Sequence, residues 1–147
     1  MQIAVIGAAD ATAQESAAAC AVGSLIAGQG TLVCGGEGGV MEAACKGARE
    51  KGGLTVGIVP DTGHGNPYLD VVIRTGMGHA RNVLVVQSAD AVIAIGGSHG
   101  TLSEIAIALK QHRPVFGLNS WTIDGVIPCA TPEEAVQKAV GSLHPTS

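Results

Sequence analysis

Arg81 and Glu104 are the residues of this chain best placed to act on a ligand. Arg81 follows a glycine-rich stretch, TGMGHA, and Glu104 follows another, GGSHGTLS. A guanidinium grips a phosphate through two parallel N–H groups. A carboxylate at the mouth of a helix can hold a hydroxyl, steady developing positive charge or orient water. The run Gly96–Thr101 has the composition of an anion cradle. Helix N-termini present unpaired N–H groups, and glycines let the backbone approach phosphate oxygens closely. Gly97, Ser98, His99, Gly100 and Thr101 are therefore candidate phosphate-binding residues, with the Thr101 hydroxyl as an added donor. The run CGGEGGVMEAA, from Cys34 to Ala44, repeats the same strand–glycine–helix form. It adds Gly35, Gly36, Gly38 and Gly39 to the candidates, and Asn82 joins them beside Arg81.

Glu104 has a second reading. TLSE is T-x-x-E, the capping-box pattern, with Thr101 as N-cap and Glu104 reaching back to its N–H. His79 and His99 fall at the same glycine-rich exits, and Asp10, Glu37 and Glu42 are placed to line the mouth. The first turn reads GAADAT rather than G-x-G-x-x-G, and no glycine loop carries a Walker lysine. The sequence thus disfavours NAD enzymes and P-loop NTPases.

These residues need elements to position them. IAVIG (3–7), TLVCG (31–35), LTVGIV (54–59), AVIAIG (91–96) and PVFGL (114–118) are short, continuous apolar runs. Such runs suit strands buried on both faces of a parallel sheet. VVIRTG (71–76) also reads as a strand. Helices are predicted over 13–29, with Ala18, Ala21, Val22, Leu25 and Ile26 as the apolar stripe, and over 39–51. A further helix over 101–111 has Leu102, Ile105, Ala106 and Leu109 as its stripe. The last runs over 132–142, with Thr131 as N-cap and Pro132 in the first turn. Residues 80–88 could be strand or helix by pattern. They are assigned to helix because two parallel strands need a crossover between them. Residues 60–70 read as a surface loop, and LHPTS at the C-terminus as a loose tail. The sum is a single α/β domain over 1–147, doubly wound and Rossmann-like, with a mainly parallel sheet. Ligands of such sheets bind beyond the strand carboxyl ends, where both glycine clusters fall.

Composition narrows the partners. The chain has 147 residues and a net charge of -4, so no broad surface attracts nucleic acid. Three aromatics, Tyr68, Phe116 and Trp121, cannot build a base-stacking platform. Twenty-two glycines are about twice the usual share, and they cluster rather than repeat. The four cysteines show no CxxC spacing and no histidine cluster, so no metal site is expected, and Cys20 and Cys45 read as buried thiols. No signal peptide and no membrane-spanning run is visible, which makes a reduced cytoplasmic setting the expectation.

The segment GHARNVLVVQSADAVIAIGGSHGTLSE resembles the lysine-decarboxylase-like, or LOG (Lonely Guy), superfamily. That superfamily carries an arginine in an HxRK segment and a later PGGxGTxxE, whose places HARN and GGSHGTLSE take here. CGGEGGVMEAA resembles its earlier glycine loop. LOG enzymes hydrolyse the N-glycosidic bond of cytokinin nucleoside 5′-monophosphates. The resemblance implies that the glycine loop and Thr101 hold the 5′-phosphate, that Glu104 stabilises the oxocarbenium-like ribose or orients water, and that Arg81 holds the ligand. A neighbouring arginine would lower the pKa of Glu104 and keep it charged at neutral pH. Gly96 stands where the superfamily has proline, Ser98 where it has its second glycine, and Asn82 where it has lysine. With the short chain, these departures resemble a sister group that includes molybdenum cofactor carriers, which bind a phosphorylated pterin with no required reaction. The expected ligand is a small phosphorylated molecule, either a molybdenum cofactor or a nucleoside monophosphate. No reaction cofactor, nucleic acid or membrane is expected as a partner. Lysine decarboxylation is not implied. The relatives form dimers or tetramers, so a homodimer or homotetramer is expected.

Overall fold

Seven short strands carry the apolar runs of the chain. A computed structural model describes residues 1–143; the tail reading for LHPTS falls, from residue 144 on, outside the described residues. The strands are β1 (Gln2–Gly7), β2 (Thr31–Cys34), β3 (Thr55–Val59), β4 (Val71–Arg74), β5 (Ala91–Ile95), β6 (Val115–Leu118) and β7 (Val126–Cys129). The helices are α1 (Ala13–Ile26), α2 (Val40–Glu50), α3 (Arg81–Gln87), α4 (His99–Lys110) and α5 (Pro132–Leu143), with a short 3₁₀ turn over Gly78–Ala80. Every strand pair is parallel, in the order β4-β3-β2-β1-β5-β6-β7. None of the helices is long and apolar enough to cross a membrane, among the described residues.

The continuous apolar runs are explained by cover on both faces. Along β1, Ile3 and Val5 pack into the layer of α1, α2 and α5, whereas Ala4 and Ile6 pack into the layer of α3 and α4. Strand order reverses at β1. The chain moves outward through β2, β3 and β4, then returns to the other side of β1 as β5. Loops leaving β1 and β5 diverge there, which opens a crevice at their carboxyl ends.

Four sequence expectations change. β7 was not foreseen. It follows β6 through residues 119–125 with no helix between them, and it holds Pro128. Proline is tolerated because β7 is an edge strand. The α1 face that is buried is Ala19, Val22, Gly23 and Ile26, with Ala18, Ala21 and Leu25 only half-buried. α1 is turned so that Gly23 meets α2, where a Cβ would overlap the carbonyl oxygen of Ala44. Gly47 of α2 meets the carbonyl of Cys20 in the same way. On α4 the buried face is Thr101, Glu104, Ile105 and Ala108 rather than the purely apolar stripe. Ala106 is exposed. Of the cysteines, Cys34 and Cys45 are buried and Cys20 is half-buried.

Candidate functional site

The β5–α4 turn begins where β5 runs out of apolar residues. Gly96 and Gly97 adopt φ of 56° and 125°, a backbone that side-chain-bearing residues rarely take. The chain then enters α4 at His99 with Ser98 as N-cap in extended conformation. Ser98 N–H donates to Thr101 Oγ1 at 3.3 Å. This corrects the T-x-x-E reading. Thr101 lies inside the first turn, three residues after the cap, and Glu104 lies a turn deeper, where it cannot reach an N-cap at residue 101.

α3 brings Arg81 to the same place. Its first residue is Arg81, which the 3₁₀ turn of Gly78–Ala80 delivers from the β4 exit. The arginine is only 6% exposed, and Glu104 only 7%. Both line a cleft of about 140 Å³ at the carboxyl ends of β1 and β5, together with Asn82, Ser98, Gly100 and Thr101. Glu37, His79, Met41 and the Gly7–Ala9 exit of β1 complete its walls. Arg81 Nη2 pairs with Glu37 Oε2 at 3.3 Å, and Glu37 is half-exposed. The buried Arg81 Nε has no hydrogen-bond partner. An unmatched buried donor on a cation costs free energy unless something accepts from it. The His99 and Gly100 N–H groups open α4 with no preceding turn to accept from them. One corner thus gathers a partly unsatisfied guanidinium and a helix mouth, which is an anion-binding arrangement.

Glu104 contradicts its expected state. Burial pushes its carboxyl up to about 7, and Glu37 adds to the rise, while Arg81 pulls only partly the other way. The carboxylate is far enough inside the protein that lost hydration outweighs the cation beside it. Near neutral pH Glu104 is therefore divided between a proton donor and an acceptor. As an acid it can donate to an anion; as a base it would repel one.

The other candidates are spread around this corner. Gly35 stands behind Arg81: a Cβ there would overlap the guanidinium Nη1. Gly36 and Gly38 line a neighbouring cleft of about 230 Å³ with Glu42, and Gly39 packs against the backbone of Ala8 and Ala9. Asn66 ties that loop down, its N–H donating to Gly36 O at 2.8 Å and its Nδ2 to Glu37 O at 3.0 Å. Gly97 lines a third cleft, on the far side of the turn. His99 stacks on Trp121 with ring centroids 6.1 Å apart. Asp10 is exposed and lines none of these clefts. Sequence reasoning missed Trp121, whose Nε1 donates to Ser98 O at 3.2 Å, and Glu37 as the partner of Arg81. A signal for the buried carboxylate was present: Thr101, Glu104, Ile105 and Ala108 follow i, i+3, i+4, i+7 spacing.

Gly35 supplies a test of the corner. Gly35→Ala should lower affinity for a phosphorylated ligand about tenfold, because the new methyl displaces the Arg81 tip. Stability should fall by about 1–3 kcal/mol, since the displaced guanidinium is buried and paired with Glu37. Calorimetric titration with ribose 5-phosphate beside a thermal melt reads both. Unchanged binding would mean that Arg81 does not need this space.

A model described as the SLOG cluster4 family matches residues 1–142. A protein of Archaeoglobus fulgidus, described as "Uncharacterized protein", is 50% identical over 145 residues, 97% of this chain and 96% of the relative. The molybdenum cofactor binding protein from the phototrophic bacterium Rippkaea orientalis superposes with a TM-score of 0.91 at 36% identity, covering 97% of this chain and 96% of that one. The molybdenum cofactor carrier protein from Chlamydomonas reinhardtii gives 0.90 at 34% identity, with 97% and 98% covered.

Proposed function

Because the chain belongs to the SLOG cluster4 family, we propose that it binds a small phosphorylated ligand at the β1–β5 crevice, and that this ligand is a phosphorylated pterin of the molybdenum cofactor type. The observation that carries the reading is the nine-tenths-buried Arg81, whose Nε lacks a partner at a helix mouth. The likeness to two molybdenum cofactor proteins across nearly the whole chain supports the choice of ligand. Arg81 and the first N–H groups of α4 hold the phosphate, with the Thr101 hydroxyl beside them. Glu104, when protonated, donates to the same anion. The central cleft of about 140 Å³ is smaller than the roughly 300 Å³ of a typical enclosing pocket. It suits a phosphate with its first neighbouring atoms and leaves the rest of the ligand to the flanking clefts. Such a cofactor brings its molybdenum already bound by the pterin's own sulfur atoms, so the reading asks for no metal ligands from the chain. Self-association into a homodimer or homotetramer is part of the reading. Exposed Leu54 just ahead of β3, Val71 and Ile73 on the edge strand β4, and Met77 in the loop after it supply apolar surface for it.

A second reading draws on Glu104. A carboxyl that titrates at about 7 is suited to proton transfer, as hydrolysis of a nucleoside 5′-monophosphate would require. The two readings separate in one experiment. With a pterin phosphate, wild type should bind and Arg81→Ala should lose about 2–4 kcal/mol of affinity, the range for removing one partner of a buried charged contact. With AMP, little ribose 5-phosphate should appear. Rapid release that Glu104→Ala abolishes favours the hydrolase, and equal binding by Arg81→Ala removes the phosphate from this crevice.

A further inference from the structure

The third cleft, of about 490 Å³, lies on the other side of the Gly96–Gly97 turn. Its walls are Glu15 of α1, the turn itself, and residues 119–122 of the β6–β7 connection. That connection is fixed rather than slack. Ser120 Oγ donates to Gly96 O at 2.6 Å, Gly96 N–H donates to Leu118 O at 3.0 Å, and Trp121 Nε1 reaches Ser98 O. Asn119 turns the chain there with a φ of 48°.

Glu15 presents one free oxygen to this space. Its Oε1 accepts from Thr12 N–H at 3.0 Å and closes the α1 capping box. Oε2 has no hydrogen-bond partner among the described residues and lies against Gly96, where a Cβ would overlap it. Trp121 supplies the one large flat surface of the cleft, with His99 stacked on it. An aromatic face beside a single unsatisfied carboxylate oxygen matches a flat heterocycle with an exocyclic amine. Ser98 lines the Arg81 cleft and its carbonyl accepts from Trp121 Nε1, so this residue ties the wall of one cleft to the wall of the other.

The geometry points to the Glu15–Trp121 cleft as the ring subsite of the same ligand, selecting heterocycles that carry an amino group. Trp121 stacks on the ring and Glu15 Oε2 accepts from the amine. The inference rests on the ligand-binding reading above, and its test is independent of phosphate. Unphosphorylated 6-hydroxymethylpterin is compared with the lumazine that carries oxygen in place of the amine, and guanosine with inosine. Trp121 is the sole tryptophan, so its fluorescence reports occupancy.

The amino member of a pair should bind roughly tenfold or more tightly than its partner and quench Trp121, as one charge-assisted hydrogen bond implies. Whichever pair shows the larger effect identifies the ring as pterin or purine. Glu15→Gln keeps the cap, since glutamine also closes a capping box. It should leave the melting temperature in place and cut the preference to about threefold or less. Equal binding within both pairs overturns the subsite, as does the absence of quenching with all four compounds. The wild-type comparison stands even if the variant folds poorly. Loss of ribose 5-phosphate binding in Arg81→Ala reads the phosphate site separately, so either proposal can fail alone.

Discussion

Glu104→Gln is expected to stabilise the protein by about 3 kcal/mol at pH 8.5 and to leave it nearly unchanged at pH 4. The carboxyl is 7% exposed, and burial moves its pKa from 4.5 to about 7 in the fold. Between these two values the folded chain holds a proton that the unfolded chain has released. Stability therefore falls as pH rises from about 4.5 through 7, and the whole loss is present above 7. Converted at about 1.4 kcal/mol for each tenfold change in proton affinity, the gap is about 3 kcal/mol. Glutamine has a similar shape and never ionises, so it escapes the loss. For a chain of this size the difference is roughly 6–12 °C in Tm. Melts of both proteins at pH 4, 5.5, 7 and 8.5 measure it. The curves should coincide in acid and separate through neutrality. Parallel curves, or a wild type that gains on the variant as pH rises, would place a charged Glu104 in a setting that favours it.

Gly47→Ala should destabilise by about 3 kcal/mol, opposite in sign to the effect of helix propensity. Alanine in place of glycine inside a helix contributes about 1 kcal/mol of stability when nothing else changes. Here the new methyl meets the carbonyl of Cys20, and the matching contact of Gly23 with Ala44 holds the same two helices together. Backbone cannot swing aside as a side chain can. α1 and α2 must separate, which loosens the packing of Val22, Ile26, Ala44 and Cys45 in one core layer. Gly141 of α5 is the control, because a Cβ there meets nothing within 4 Å among the described residues. Gly141→Ala should stabilise by about 0.5–1 kcal/mol. Urea unfolding of the two variants side by side decides the matter. If both gain stability, the helices do not touch backbone to backbone.

Much of the scaffold was legible because its strands are buried on both faces. A strand covered twice has no room for polar residues, so AVIAI and IAVIG stand out in the sequence. The crossover rule also placed α3 correctly, although RNVLVV reads as a strand by composition. The same rule concealed β7. Parallel strands commonly need a dozen or more connecting residues, and residues 119–125 return to the amino-terminal ends of the strands without a helix. The short strand VIPC also holds a proline, which argues against a strand until its edge position is known. At the site, residue types and rough location were readable from glycines beside Arg81 and Glu104. The rotation of α4 was not. Four apolar residues marked one stripe, but packing against the crevice buried Thr101 and Glu104 instead. That rotation sets the protonation of Glu104; the spacing of Thr101, Glu104, Ile105 and Ala108 permits this face but competes with the apolar stripe, and only packing decides between them.

The ion pair between Arg81 and Glu37 has a consequence for letting go. Glu37 is half-exposed on a glycine-flanked loop, whereas Arg81 is fixed in the interior. If a phosphate binds as proposed, it takes over the guanidinium while Glu37 moves toward water, and on departure the carboxylate returns. The Nη2 end of the cation then passes between two partners. On the proposed reading, affinity for the phosphate is weakened by the strength of the returning pair.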